Sequence, residues 1–142
     1  AKEYSQLLWD GLTLLAGSRL QRLAKESCLQ ELKSGLLELP ELPVTLEEMS
    51  EKVCVSPFHM IRQFKKEIGL TPHQFQIQCR IRKAQKLLLK SKTITEVAFE
   101  TGFCDQSHFD KSFKKIVGMS PAAYQKAAHF AESQNVFNKE QE

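Results

Sequence analysis

Glycine and proline are scarce in this chain, with 6 and 5 among 142 residues. That scarcity excludes a collagen-like repeat and a long disordered chain. Cysteine is thin as well: Cys28, Cys54, Cys79 and Cys104 lie far apart, with no CxxC pair and no close Cys/His spacing. Neither a zinc site nor a secreted disulfide framework is expected, and no cofactor is called for. Four reduced, mostly packed thiols in a cytoplasmic protein are the expectation. Apolar runs never exceed a few residues, so no membrane span is expected. No basic start followed by an apolar stretch marks a secretory signal. The first residue is Ala, which suggests a processed chain or an excised fragment. No Ser/His/Asp constellation, Gly-rich phosphate loop or metal-ligand spacing is present, so catalysis is not expected.

What is there is ordinary in bulk and uneven in detail. Apolar residues make up 42% and charged residues 26%, which suits one or two small globular domains. The net charge is only +3, yet residues 44–126 carry 14 Lys/Arg against 8 Asp/Glu, whereas residues 1–43 net −1 and residues 127–142 net −2. A basic middle flanked by acidic ends fits a segment that meets a polyanion. A solvated lysine-rich face would produce the same count.

Strand-like alternation is missing, and Leu, Lys, Gln, Glu and Ala dominate, so an all-α fold is expected. Tyr4, Leu7, Leu8, Leu12 and Leu15 fall at helical spacing up to Gly17, and Ser18 with Gln21 could cap a second helix carrying Leu20, Leu23, Leu32 and Leu36. Those leucines exceed what two short helices hide alone, so this hairpin is expected to bury them in a homodimer through residues 4–37 or against an upstream domain. Packing on the neighbouring domain in cis is the alternative. Pro40 and Pro43 punctuate the connection ELPELPV, placed here as the domain boundary.

Beyond it, helix-start signals recur at Thr45, Ser56-Pro57, Thr71-Pro72, Thr93, Asp105 and Ser120-Pro121. Gly69, Gly102 and Gly118 suit helix C-terminal turns. Six helices are predicted, at about 46–52, 57–67, 72–90, 94–101, 106–116 and 121–130. A polar tail over 131–142 follows.

These helices repeat. VSPFHMIRQFKKEIGLTPHQF aligns with FCDQSHFDKSFKKIVGMSPAAY, placing Phe64 on Phe113, Lys65 on Lys114, Gly69 on Gly118 and Pro72 on Pro121 at an offset of 49. Upstream of the turn the offset is 48, with Met49 on Val97 and Ser50 on Ala98. The extra residue falls in the turn, where an insertion costs least. Each repeat reads as a short helix, a tight turn and a second helix, the layout of a helix-turn-helix. On helix 57–67, Met60, Phe64 and Ile68 form the core stripe, while Phe58, Ile61, Arg62 and Lys65 share another face. The matching face of helix 106–116 holds Ser107, Asp110, Lys111 and Lys114. Arg can read guanine edges and Lys can neutralise phosphate. Alternatively, Phe58 and Ile61 pack between subdomains and the cations are merely solvated. A connector over 72–90 would be roughly 28 Å long at about 1.5 Å per residue, close to the ~34 Å turn of B-DNA.

The tandem units, together with Arg80, Ala84, Leu87 and Leu88 in the connector, resemble the AraC/XylS family of bacterial transcription regulators over residues 44–126. The segment ITEVAFETGFCDQSHFDKSFKKIVGMSPAAY carries the resemblance most clearly. It implies a tandem helix-turn-helix domain over 44–130 that binds double-stranded DNA. Residues 1–43 would then be a linker or the end of an upstream effector or dimerisation domain, and RNA polymerase becomes a candidate partner. The resemblance maps base contacts onto Phe58, Ile61, Arg62, Gln106, Ser107, Asp110 and Lys111. It maps phosphate contacts onto Lys65, Lys66, Lys114, Lys115 and neighbouring helix N-termini. Three positions depart from the pattern: Cys54 stands where the first turn usually has Gly, Gln125 where Arg is common, and Asp110 puts an acid on a DNA-facing stripe. The competing function is a helical protein-interaction module with a basic face.

Overall fold

The computed structural model describes residues 17–52 and 55–139, with side chains described from Glu26 onward except at Cys28, Lys52 and Asn138. The described elements are helices: α1 Gly17–Glu38, α2 Leu46–Lys52, α3 Pro57–Ile68, α4 Pro72–Leu88, α5 Ile94–Glu100, α6 Gln106–Val117 and α7 Pro121–Lys139. The leucines at positions 7, 8, 12 and 15 and the turn residue Cys54 lie outside the described residues.

Local chemistry starts the helices from α2 to α7. Thr45, Thr71 and Thr93 each accept from the backbone N–H three residues on, while Glu48, Gln74 and Glu96 accept in return from the N–H of those threonines. These reciprocal pairs satisfy donors that a helix start leaves without partners. Ser56 and Asp105 cap α3 and α6 by accepting from the N–H groups of His59 and His108. Both of those helices end on a glycine in the left-handed region, Gly69 at φ 84° and Gly118 at φ 92°. The N–H of each glycine donates to the carbonyl of Lys65 or Lys114, four residues back. The repeat seen in the sequence is therefore a repeat of caps and turns.

The described chain divides into two compact units. Residues 17–35 and 44–69 form one, in which α2 packs against α3. Its buried residues include Leu29, Leu32, Met49, Met60 and Phe64.

Residues 36–43 and 70–139 belong to the other unit, where α4 packs against α5, α6 and α7. Its core is Ile81, Ala84, Leu88, Val97, Ala98, Phe103, Phe109 and Phe113, with Tyr124 packed against it. Four aromatic rings run through that core, Phe103 to Phe109 at 5.3 Å, Phe109 to Phe113 at 5.7 Å and Phe113 to Tyr124 at 5.5 Å between centroids. Such tilted and edge-on pairs favour one arrangement of the helices that carry them.

Two features differ from the sequence expectation. The connector α4 stops at Leu88 rather than near residue 90, where the N–H of Lys90 turns back to the carbonyl of Leu87. Helix α7 runs to Lys139, so most of the supposed tail is helical. Ala127, Ala128, Ala131, Glu132 and Gln134 are good helix formers with no breaker among them. They face solvent or nearly so, and the buried periodicity that marks a helix in sequence is absent there. The proline segment, residues 36–43, groups with residues 70–139.

Candidate nucleic-acid interface

Each reading helix presents one face to its core and another outward. On α3, Met60 and Phe64 are fully buried. On the opposite side Phe58 is 78% exposed, and Arg62, Lys65 and Lys66 are exposed, while Ile61 is partly buried. Phe58 and Arg62 lie four residues apart on that outward stripe. On α6, Phe109 and Phe113 are fully buried, and Gln106, Ser107, Lys111, Lys114 and Lys115 are exposed. The cations thus occupy equivalent places on two equivalent helices: Arg62 and Lys111 at mid-helix, Lys65 and Lys114 one turn on.

Asp110 behaves differently from its neighbours. It is partly buried, and its Oδ1 is enclosed without a hydrogen-bond partner. Its carboxylate therefore does not stand clear on the outward face with Lys111. Gln106 is held by the preceding helix, because its Oε1 accepts from the Thr95 hydroxyl at 2.7 Å. Lys115 borders a hollow lined by Leu70, His73, Ile77, Ser112 and Ile116. Among the phosphate candidates of α6, Lys114 is the one that stands on the outward stripe.

The turn before α6 sets where that helix points. The N–H of Phe103 closes it on the carbonyl of Ala98 at 3.0 Å, and the N–H of Val55 closes the first turn on the carbonyl of Ser50 at 3.2 Å. Gly102 takes φ 89°, a region in which a side chain is strained. Phe103 is buried, and its ring meets the edge of His108 at 5.3 Å. Behind the turn lies Arg80 of α4, only 9% exposed. Its Nη1 donates to the carbonyl of Gly102 at 2.9 Å and its Nε to the carbonyl of Pro40 at 2.7 Å. Burial pulls the guanidinium below its usual pKa, opposed by the nearby Cys104 and Glu41 groups.

A helix-turn-helix domain model matches residues 49–127, more than half of the chain. The chain belongs to the AraC family of helix-turn-helix transcription regulators. Among its relatives is the regulatory protein Ada of Salmonella typhimurium, 34% identical over 111 residues, covering 78% of this chain and 30% of that protein. The transcriptional regulator MtrA of Neisseria gonorrhoeae is 34% identical over 92 residues, covering 64% of this chain and 31% of the relative. The chain thus spans about a third of the length of these curated relatives. The DNA-binding domain of AdpA, solved in complex with a target DNA, superimposes with a TM-score of 0.71 at 30% identity, over 75% of this chain and 97% of that one.

Sequence reasoning placed the exposed cations of this AraC-type domain but missed what holds them. Arg80 entered only as part of a motif, without a role. A signal was available: Gln76, Arg80, Ala84 and Leu88 share one α4 stripe at four-residue spacing, and all four are buried. Two polar side chains on an apolar stripe need buried acceptors, and nearby backbone carbonyls supply them. In the sequence Gln125 stands out only as a departure from the family pattern, where Arg is common. Its amide donates to the carbonyls of Leu88, the last residue of α4, and of Lys92, just before α5.

Proposed function

We propose that this chain regulates transcription by binding double-stranded DNA with α3 and α6 in successive major grooves. The observation that carries this reading is the duplicated outward face: Phe58, Arg62 and Lys65 on α3, Ser107, Lys111 and Lys114 on α6, each opposite a buried aromatic anchor. In this reading Arg62 and Lys111 reach base edges, Phe58 touches a thymine methyl, and Gln106 is presented by Thr95 at the start of α6. Lys65, Lys66 and Lys114 neutralise phosphates, with Lys115 and the N-terminal ends of α3 and α6 at the margin. Ile61 and Asp110, both partly buried, would contribute at the edge of the footprint.

The work is binding rather than catalysis. The names of some relatives pair transcriptional activation with DNA repair, as in the bifunctional Ada of Escherichia coli, of which this chain covers 23% at 36% identity. A helix-turn-helix domain model spans residues 49–127, which hold the two units. We assign the protein to the cytoplasm or nucleoid, with RNA polymerase as a further partner. A homodimer through residues 4–37 belongs to the same proposal. Among the described side chains of that stretch, which start at Glu26, Leu29, Leu32 and Leu36 are buried and Leu37 is 47% exposed.

Selection of bound sequences from a random duplex pool tests the reading. A two-part consensus whose halves lie about 10 base pairs apart is expected, with binding that weakens steeply as salt rises. No enrichment from the pool would favour an acidic protein as the partner of the basic face.

A further inference from the structure

Residues 36–43 form a strap. They follow α1 and precede α2 in sequence, yet they pack with residues 70–139 rather than with the unit to which both helices mainly belong. Three side chains of α4 hold the strap at successive turns. Gln76 donates through Nε2 to the carbonyls of Pro40 at 3.3 Å and Leu42 at 2.9 Å. Arg80 donates through Nε to Pro40 at 2.7 Å and through Nη2 to Leu42 at 3.4 Å. Lys83 pairs with the Glu41 carboxylate at 2.8 Å.

Arg80 does more than hold the strap. Its Nη1 donates to the carbonyl of Gly102, and its guanidinium lies 5.9 Å from the Phe103 ring centroid. That ring touches His108 and Phe109 of α6. Strap and turn also meet directly: a side chain at Gly102 would fall 2.5 Å from the carbonyl oxygen of Glu41. One planar, multi-donor group therefore bridges two backbone segments that have no covalent reason to move together. Lysine, with a single nitrogen, cannot reproduce that fork.

We propose that Arg80 is a positioning residue for DNA reading: it ties the strap 36–43 to the turn 101–105, so that base selection by α6 depends on the strap. The strap continues directly from α1, which ends at Glu38. A pull or twist on α1 thus reaches the turn before α6 through the carbonyls of Pro40, Leu42 and Gly102 and one guanidinium. Control of α6 by events upstream in the chain is the consequence. The inference rests on the DNA-binding reading, and its test separates the two.

The test compares wild type, Arg80→Met, Arg80→Lys and Gln76→Leu in the full chain, with folding checked by circular dichroism. Amide exchange at Leu42, Gly102, Phe103 and His108 is measured without DNA. Affinities are then measured for the wild-type consensus site and its single-base variants. In Arg80→Met, exchange at Gly102 and Phe103 is expected to rise at least tenfold. Discrimination is expected to fall several-fold at the base positions that Lys111→Ala affects, and to hold at those that Arg62→Ala affects. Arg80→Lys should not rescue it. Gln76→Leu, which leaves the Arg80–Gly102 bond in place, should loosen the strap and shift the same positions by less, and it carries the test if the Arg80 variants do not fold. A folded Arg80→Met that weakens both sets of positions alike, or that keeps α6 discrimination intact, overturns the proposal. So does Gln76→Leu if it frees the strap with no change at the α6 positions. A wild-type chain with no base preference would instead defeat the DNA-binding reading, while the exchange data would still judge the tie between strap and turn.

Discussion

The side-chain amide of Gln125 sits 2.8 Å from the carbonyl oxygen of Lys92 and donates to it, while also donating to the carbonyl of Leu88 at 3.1 Å. One residue of α7 thereby closes the end of the connector helix, where the last carbonyls have no partner within the helix. Gln125, standing where Arg is common in the family, thus has structural partners of its own.

Gln125→Ala should therefore lower stability by about 1 kcal/mol, the net worth of an ordinary hydrogen bond pair partly open to water. Urea melts read this directly. The base preference of the folded variant should match wild type. An unchanged melting midpoint would mean that water replaces the amide at no cost.

Gly69 and Gly102 share a left-handed backbone but not their surroundings. A side chain at Gly69 would meet nothing within 4 Å, whereas one at Gly102 would strike the Glu41 backbone. Gly69→Ala should cost about 1–2 kcal/mol for the backbone alone. Gly102→Ala should add a further clash of about 1–3 kcal/mol. Equal losses in parallel denaturant melts would show that the strap gives way freely.

The carboxylate of Glu96 is held below its ordinary value of 4.5, first by the backbone N–H of Thr93 and then by the Thr93 hydroxyl. A depressed carboxylate adds stability that is complete above its unfolded pKa and is lost as pH falls through the lower, folded one. Thermal melts at pH 7 and pH 3 should show wild type losing more on acidification than Glu96→Gln. Identical losses would mean that the cap of α5 is insensitive to its charge.

Much of this architecture is legible in the chain itself. Thr71-Pro72, Thr93 with Glu96, and Gly69 and Gly118 announce helix ends because capping is local chemistry. The repeated Phe64 and Phe113 mark the core faces, and so the outward cations follow by geometry. What escapes is tertiary. Nothing local tells that Arg80 will find Pro40, 40 residues away, or that Gln125 will find Lys92. Cys104, grouped in the sequence reading with mostly packed thiols, is exposed because the turn before α6 buries its neighbour Phe103 instead. The extent of α7 escapes for another reason: an exposed alanine-rich helix has no buried stripe to announce it.

Arg62 and Lys65 should separate reading from holding. Arg62→Ala should cost about 1–3 kcal/mol at one base position and spare unrelated DNA. Lys65→Ala should weaken every sequence alike and lower the salt slope by roughly one unit. Affinities at several salt concentrations, on consensus and unrelated duplexes, give both quantities. A uniform loss for Arg62→Ala would place that guanidinium on the backbone rather than on a base.

The most direct test of the central claim, that two equivalent helices read one face of the duplex, is a base-by-base affinity profile of Arg62→Ala beside Lys111→Ala. Each variant is measured by Kd against every single-base change in the consensus site. Two separate windows of lost preference are predicted, about 10 base pairs apart, one for each variant. Loss confined to a single shared window, or no positional loss in either variant, would contradict the account.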